Sequence, residues 1–194
     1  MMKNKILALL IYFFLNHSVI ADSQIKPIIE GNISAKVKIL VYESLTCSHC
    51  ANFHKDVYPK LKDEFLDKGL VSIEFRNFPL DIAALNASKL AHCKNDGKSN
   101  ILHFLYLKQE EWIQGNNVEK LNSNLKEVIK DQNFSLDFDH CIADKNIEDH
   151  ILEDRIEGAK KFKINATPTI IIDNKKFEKP LNFKNLKKAL EKLI

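Results

Sequence analysis

Three segments of the chain carry the alternation or apolar runs that are typical of β-strands. Residues 37–43 and 70–78 alternate hydrophobic and polar side chains, and residues 169–173 form a short continuous apolar run. The intervening residues 51–61 have a helical pattern, in which Pro59 is expected to kink the helix or end its first segment. Gly69 is expected to stop that helix before the second strand. A strand, a helix and a parallel strand form a βαβ unit, so the pattern predicts an α/β fold.

Helical patterns replace the strand patterns from Asp81 to about residue 163. The predicted helices are 82–95, 100–114, 118–132, 136–145 and 148–162, with Asp81, Ser99 and Asn117 as N-caps of the first three. Their apolar stripes are typical of a core, and no chemistry is assigned to them. After the run at 169–173, a turn is predicted at Asn174 and Lys175, a strand at 176–178 and a final amphipathic helix at 183–194. Residues 22–36 predict a polar lead-in with a short edge strand.

The N-terminus has the pattern of a secretory signal peptide. Lys3 and Lys5 precede an apolar run at residues 6–15, and Ala21 ends a stretch of small or apolar residues that suits cleavage after it. The apolar run is short for a bilayer span, although an uncleaved anchor is the alternative. Removing residues 1–21 leaves 27 basic and 26 acidic residues of the 29 and 26 in the whole chain. A charge of +1 gives no argument for binding to nucleic acid or to an anionic membrane.

All four cysteines follow the predicted export signal. Cys47 and Cys50 form a Cys-Ser-His-Cys motif at the point where the first strand ends and a helix begins. The unpaired N–H groups and partial positive charge of a helix start favour a thiolate there, so the pair is predicted to be a redox-active disulfide. The remaining pair, Cys93 and Cys141, is then predicted to be a structural disulfide that contributes about 4 kcal/mol. Two separate buried thiols are the alternative.

Other uses of a CxxC motif fit this sequence less well. A c-type haem needs histidine directly after the second cysteine, and this chain has Ala51. A structural zinc site needs two further ligands at a suitable spacing. His49 lies inside the motif, and Cys93 and Cys141 stand alone. The sequence therefore predicts no metal and no cofactor.

A proline at the start of a later strand is an independent check on redox chemistry. Thr167-Pro168 stands directly before the apolar run at residues 169–173. A cis bond there would expose the Thr167 backbone beside the disulfide, where an incoming peptide could pair with it. Taken alone, a trans turn proline is the simpler interpretation, but the CxxC in an exported chain favours the cis form.

Three segments together resemble the DsbA-like branch of the thioredoxin superfamily: residues 46–54, 78–81 and 166–169. The resemblance implies a thioredoxin fold in two parts, residues 22–80 and 164–194, interrupted by a helical domain at 81–163. It implies a periplasmic enzyme that introduces disulfide bonds into reduced, newly exported proteins. Cys47 would be the attacking cysteine, Cys50 the resolving one, and Thr167 and Pro168 the substrate-binding cis-proline loop. A membrane-bound, quinone-linked reoxidase would be its partner, and a monomer is the default expectation.

Two polar residues near the motif carry open questions. Protonated His49 would add positive charge next to Cys47, or it is simply an exposed polar side chain. Thioredoxin-like proteins commonly have an acid six positions before the first cysteine, where this chain has Val41. Glu43 lies two residues later on the same strand face, and it is either a buried proton relay or a solvated strand-end residue.

Two rival functions use the same fold. One is a disulfide isomerase or reductase: isomerases of this type generally carry an added dimerisation domain, and residues 22–36 are too few to form one, although a short N-terminal coil could still mediate association. A non-catalytic interaction protein of the cell envelope is the second rival. The intact CxxC motif and the Thr167-Pro168 pair argue against it.

Overall fold

A five-stranded mixed sheet lies at the centre of the protein, as seen in a computed structural model that describes residues 24–130 and 132–194. The strands are β1 (Ile28–Gly31), β2 (Val37–Glu43), β3 (Val71–Asn77), β4 (Thr169–Ile172) and β5 (Lys175–Lys176). Their order in the sheet is β1-β3-β2-β4-β5. The predicted signal peptide at residues 1–21 lies outside the described residues.

Strand β2 occupies the middle of the sheet because both of its edges are paired. It runs parallel to β3, with Val41 opposite Phe75, and antiparallel to β4, with Val41 opposite Ile170. Strand β1 adds to the far edge of β3 in the antiparallel sense. The predicted βαβ unit and the predicted edge strand are confirmed. A parallel neighbour places the end of β2, and the CxxC motif after it, at the carboxyl edge of the sheet, where open α/β folds place their chemistry.

The two faces of β2 are buried under different helices because side chains alternate along a strand. Val37, Ile39 and Val41 are at most 1% exposed and belong to the main core. Tyr42 points to the opposite face and packs with Phe78, Ile164 and Ile171. Glu43 follows Val41 by two residues and therefore points towards the main core. This alternation already places a carboxyl group where water is excluded.

Eight helical segments surround the sheet in the described part of the chain. The first, α1, runs from 48 to 66 and alternates α-helical turns (Ser48–Asn52, Tyr58–Leu61) with π-helical turns (Phe53–Val57, Lys62–Leu66). The others are α2 (Ile82–His92), α3 (Asn100–Leu107), α4 (Gln109–Trp112), α5 (Val118–Lys130), α6 (Phe138–Ala143), α7 (Lys145–Lys161) and α8 (Phe183–Leu190). Pro59 lies at the start of the Tyr58–Leu61 turn, where the first π-helical segment ends, and the chain continues as a helix beyond it.

Helix α7 approaches the sheet closely because it has a glycine at the contact. A Cβ atom on Gly158 would lie 2.7 Å from the Tyr42 ring, so a larger residue there would push the helix away from β2. On the same helix, the buried Asp154 carboxylate accepts hydrogen bonds from the Asn77 backbone and side chain at 3.0 and 2.8 Å. These contacts hold α7 against the end of β3.

Several local predictions need correction. The predicted helix 100–114 is broken at Lys108 into α3 and α4. The Ser99 side chain does not cap α3 but donates to the Glu30 carboxylate, whereas Asp81 and Asn117 accept backbone N–H bonds as expected of N-caps. The last hairpin turns one residue earlier than predicted, at Asp173 and Asn174, because both residues adopt positive φ angles of 46° and 65°.

The helical segments α2 to α7 are inserted in the chain between β3 and β4, as the resemblance implied. We call them the helical layer. Cys93 at the end of α2 is joined to Cys141 in α6 by a disulfide with Cα atoms 5.4 Å apart. Within the described residues, none of the helices has the length and apolar character needed to cross a bilayer. The fold is a thioredoxin fold with inserted helices, which confirms the predicted fold class.

Candidate active site

The loop between β2 and α1 is held rigidly by its own hydroxyl groups. The Thr46 hydroxyl donates to the Asp81 carboxylate at 2.8 Å. The buried Ser44 hydroxyl accepts from the Leu80 backbone N–H at 3.2 Å. Asp81 also caps helix α2, so one carboxylate links the active-site loop to the start of the helical layer.

A glutamine from the helical layer fixes the same loop from the other side. Gln109, at the start of α4, is 2% exposed and donates its amide hydrogens to the Leu45 carbonyl at 2.8 Å and the Cys47 carbonyl at 3.0 Å. This role was not predicted from the sequence. The available signal was a polar residue at a position of the apolar stripe that includes Leu102, Leu105 and Trp112. A buried amide that satisfies two carbonyls orients the CxxC motif from a helix 62 residues away in the chain.

The two cysteines of the motif, both thiols in this structure, occupy very different environments. Cys47 precedes α1 and is partly exposed, whereas Cys50 is completely buried in the first turn. Hydrogen bonding from the Cys50 side chain lowers the pKa of Cys47 to about 5 against the opposing effect of burial, helped by Thr167 and by the Cys50 and His49 backbones. Burial raises the pKa of Cys50 far above its ordinary value, as do its hydrogen bond to Cys47 and the charge of Glu43. One sulfur is therefore a stable thiolate at neutral pH and the other a stable thiol.

The loop before β4 lies directly against Cys47. The Thr167–Pro168 peptide bond is cis, and the Cys47 sulfur lies 3.3 Å from the Thr167 carbonyl oxygen. The Thr167 hydroxyl is buried and has no hydrogen-bond partner within the described part of the chain. It is therefore free to donate to a thiolate at Cys47. The structure thus brings together Cys47, Cys50, Thr167 and Pro168, as the sequence analysis expected.

A groove of about 540 Å³ leads away from these residues. Phe53, Val57, Pro168 and Leu181 give it apolar walls, and His49 lies at its edge. The His49 side chain is exposed, and its contribution to the thiolate comes from its backbone N–H group. Of the two roles considered for His49, the arrangement favours an exposed polar residue next to the groove.

Glu43 is buried beneath the motif and is not a solvated strand-end residue. Its side chain is 3% exposed, and its Oε2 atom lies 2.8 Å from Nε2 of His54 in α1. Burial raises the pKa of this carboxyl well above its ordinary range, and the charge of Cys47 raises it further, while His103 and Tyr106 oppose the shift. The other oxygen, Oε1, has no partner within the described residues. Val41 occupies the position where thioredoxin-like proteins commonly have an acid. Glu43 lies two residues later and points to the same face of β2.

His54 contacts a second histidine that no sequence pattern indicated. Its Nδ1 atom lies 2.8 Å from Nδ1 of His103 in α3, and Nε2 of His103 lies 2.7 Å from Glu30 in β1. The ring of His54 stacks on that of Tyr106 with centroids 4.0 Å apart. Burial lowers the pKa of His54 to about 3, so this ring is neutral at neutral pH. These groups form a line rather than a ligand cluster, and the described residues include no group suited to hold a metal ion.

Comparisons with known proteins agree with this site. A family model described as thioredoxin matches residues 23–192. The crystal structure of Wolbachia pipientis alpha-DsbA1 is 31% identical, with a TM-score of 0.77 over 86% of this chain and 90% of that one. A probable disulfide bond formation protein D of Bacillus anthracis is 30% identical over 84% of this chain and 76% of its own length.

A putative protein-disulfide oxidoreductase of Rickettsia bellii is 27% identical over 84% of this chain. This chain spans 63% of the length of that relative. The family match extends from the lead-in before β1 to the end of α8, and it includes the CxxC motif, the helical layer and the cis-proline loop. The chain therefore belongs to the thioredoxin family, within its DsbA-like branch.

Proposed function

We propose that this protein is a thiol:disulfide oxidoreductase that introduces disulfide bonds into cysteine-containing exported proteins. The observation that carries the proposal is the contrast between its two active-site sulfurs. Cys47 is accessible and has a pKa lowered to about 5, whereas Cys50 is buried and its pKa is raised. Because a stabilised thiolate at Cys47 favours the reduced pair, the Cys47–Cys50 disulfide is an oxidant.

The first step is attack on the accessible sulfur. A thiolate of the substrate protein attacks the Cys47 sulfur, a new mixed disulfide forms, and the Cys47–Cys50 bond breaks. Cys50 leaves as a thiolate in a buried site where the charged form is unfavourable, and it takes up a proton.

The second step releases the oxidised substrate. A second thiolate of the substrate attacks the substrate sulfur of the mixed disulfide, and Cys47 leaves. A low pKa makes Cys47 a good leaving group, because the departing thiolate is stable at pH 7. The substrate dithiol has then lost two electrons to the cysteine pair. A membrane-bound, quinone-linked partner would accept those electrons and restore the disulfide.

Glu43 is the group we assign to proton exchange with Cys50. Its charge raises the pKa of the Cys50 thiol, and burial raises the pKa of the Glu43 carboxyl group, which favours its protonated form. The Oε1 atom, which has no partner within the described residues, is the oxygen available for the transfer. Glu43 would protonate Cys50 during substrate oxidation and accept the proton again when the disulfide is restored.

The substrate is expected to bind as an extended peptide. The Thr167 carbonyl is 3.3 Å from the Cys47 sulfur, so a peptide that pairs with this backbone has its cysteine at the reacting atom. The groove along Phe53, Val57 and Leu181 accommodates apolar side chains that flank the cysteine. Recognition through backbone and apolar contacts suits an enzyme that acts on many unfolded proteins, and export to the periplasm would supply them.

The redox potential separates this function from its rivals. The purified protein would be equilibrated with glutathione buffers and assayed with a reduced, unfolded substrate and with a scrambled-disulfide substrate. We expect an oxidising potential and rapid disulfide formation. A strongly reducing potential with no oxidase activity would support a reductase, and efficient rescue of scrambled substrate would support an isomerase. No reaction with either substrate would support a non-catalytic protein.

A pair of serine variants tests the roles of the two sulfurs. Cys50→Ser, mixed with a peptide that contains a disulfide, is expected to accumulate a mixed disulfide: the Cys47 thiolate attacks the peptide disulfide, one peptide thiolate leaves, and no Cys50 thiol is present to displace the bound peptide. Cys47→Ser is expected to form no such adduct, and it serves as the matched control. Adduct formation by both variants or by neither would contradict the assignment.

A further inference from the structure

Four titratable side chains form a continuous line of hydrogen bonds from the active site to the edge of the sheet. The line begins at Glu43 and passes through His54 and His103 to Glu30. Its three bridges measure 2.8, 2.8 and 2.7 Å between heavy atoms. We call this line the histidine relay. Each bridge is of hydrogen-bonding length, and each imidazole ring uses both of its nitrogens within the line.

Exposure increases along the histidine relay. The side chains of Glu43 and His54 are 3% and 1% exposed, whereas those of His103 and Glu30 are 19% and 17% exposed. The inner end therefore lies beneath the active-site cysteines and the outer end reaches solvent. The Glu30 carboxylate at the outer end also accepts hydrogen bonds from Tyr58 and Ser99. Burial opposes ionisation of Glu30, but the bonds from His103, Ser99 and Tyr58 outweigh it and lower its pKa to about 2.

Two protonation patterns satisfy every bridge with the same three protons. In the first, Glu43 is a carboxylic acid that donates to His54, His54 donates through Nδ1 to His103, and neutral His103 donates to Glu30. In the second, Glu43 is a carboxylate that accepts from His54, and His103 is an imidazolium that donates to both neighbours. Moving two protons, one across the Glu43–His54 bridge and one across the His54–His103 bridge, converts one pattern into the other, while the proton between His103 and Glu30 stays on His103. Neither pattern creates or removes a proton.

The groups around the relay are consistent with both patterns. Glu43 lines a small cavity with Arg76, His92 and Tyr106. The charge of Cys47 raises the pKa of Glu43, and the charge of Glu43 raises the pKa of Cys50. His54 contacts His103 and the aromatic rings of α1, β3 and α3: Phe53, Tyr58, Phe75 and Tyr106. His103 stacks on Tyr58 with ring centroids 4.3 Å apart and faces Glu30 as its one acidic partner within the described residues.

We propose that the histidine relay carries protons between solvent and Glu43, and so supplies and removes the proton of Cys50 during thiol–disulfide exchange. The inference rests on the proposed function, because it assigns the path of a proton that the exchange reaction requires. His54 and His103 are positioning residues in this scheme, since they act on Cys50 only through Glu43. The histidine relay transfers only protons, and its residues do not line the peptide groove.

The proton balance follows the two halves of the reaction. During substrate oxidation a proton from solvent enters at Glu30 and shifts the protons of the bridges inward to Glu43, which passes one proton to the Cys50 thiolate and is left as a carboxylate. When a disulfide-containing or quinone-linked oxidant restores the Cys47–Cys50 bond, the Cys50 thiol loses its proton to Glu43. That proton leaves along the same bridges in the opposite order. Inward and outward transfer alternate, so each full cycle returns both imidazole rings to their starting tautomers without a ring flip.

The test is a single-turnover measurement on the oxidised full chain with a dithiol peptide. His103→Gln keeps a hydrogen-bonding side chain between His54 and Glu30, but an amide does not exchange protons at neutral pH. We expect its reduction by the peptide to be about 100-fold slower at pH 8, which is the low end of what proton-transfer groups contribute. The difference in rate between this variant and the wild type should become smaller towards pH 5, where protons are more available from solvent.

A matched histidine provides the control. His150 is a partly buried histidine in α7 that packs on His92 with ring centroids 5.0 Å apart, and it lies outside the relay. His150→Gln should react at the wild-type rate at every pH. Thermal unfolding and the rate of Cys47 alkylation, measured on both variants, show that the fold and the attacking sulfur are intact.

Chemical rescue separates a relay from a structural role. In His103→Ala, added imidazole should restore much of the lost rate, whereas an equal concentration of a non-titrating analogue such as pyrazole should not. Equal rates for His103→Gln, His150→Gln and wild type across pH 5–8 would overturn the relay, and so would a deficit that imidazole does not relieve. If the wild-type protein itself does not oxidise the peptide, the proposed function fails first, so the two failures are distinguishable.

Discussion

The low pKa of Cys47 makes a quantitative prediction about the stability of the reduced protein. The pKa of this thiol falls from its ordinary value of 9.0 to about 5 in the folded protein. Since the folded pKa is depressed, folding favours the thiolate, and the resulting stability is present at high pH and lost as the pH falls through about 5. Between pH 5 and pH 7 the unfolded thiol stays protonated while the folded one is ionised.

The magnitude follows from two pH units at about 1.4 kcal/mol each, which gives about 2.7 kcal/mol at pH 7. Cys47 is partly exposed, so screening by solvent reduces this figure, and we expect about 1.5 kcal/mol. The measurement is urea unfolding of the reduced protein at pH 7 and pH 4, with reduced Cys47→Ser as reference at each pH. The reference removes the titration of every other group that both proteins share.

We expect the wild type to be more stable relative to Cys47→Ser at pH 7 than at pH 4 by this amount. A parallel alkylation titration of Cys47 should show a midpoint near pH 5. A stability difference that does not change with pH, together with an alkylation midpoint near 9, would refute the argument from the thiolate. Thr167→Val should move the midpoint upwards, because the valine side chain cannot donate to the thiolate.

Three further changes probe the support of the site. Replacing Cys93 and Cys141 together by alanine should lower the free energy of unfolding by about 4 kcal/mol for a loop of 48 residues, with the alkylation midpoint of Cys47 unchanged; an unchanged urea midpoint would contradict this. Gln109→Leu should lower the free energy of unfolding by about 2 kcal/mol and shift the alkylation midpoint of Cys47, since it leaves two buried carbonyls without donors. If neither quantity changed, that result would argue against the role of Gln109. Asp81→Ala should cost about 1 kcal/mol in urea unfolding through the lost N-cap, with Asp81→Asn as the conservative control that retains most of it.

Much of the sheet and the residues around the reactive sulfur follow from local sequence patterns. The alternation from Val37 to Glu43 predicts β2 and its two faces, because side chains of a strand point alternately to opposite sides. The CxxC motif at the strand–helix junction and Thr167-Pro168 before β4 also predict their own contact once the family resemblance is recognised. The errors fall where local signals compete. The predicted helix 100–114 is interrupted at Lys108, although its apolar pattern continues. The Ser99 hydroxyl donates to Glu30 in β1 and therefore does not cap α3.

The order of residues along the chain is enough to predict which side chains can do redox chemistry and which side chains of β2 share a face. Three contacts depend on the folded chain: Glu43 pairs with His54, His103 connects His54 to Glu30, and Gln109 donates to the Cys47 carbonyl. Glu30 and His103 are 73 residues apart, and Gln109 and Cys47 are 62 apart. No periodicity along the chain encodes such pairs, because the inserted helices are placed by packing and by the Cys93–Cys141 disulfide rather than by local propensity. The chemistry of Cys50 therefore depends on contacts that form only when the helical layer closes over the sheet.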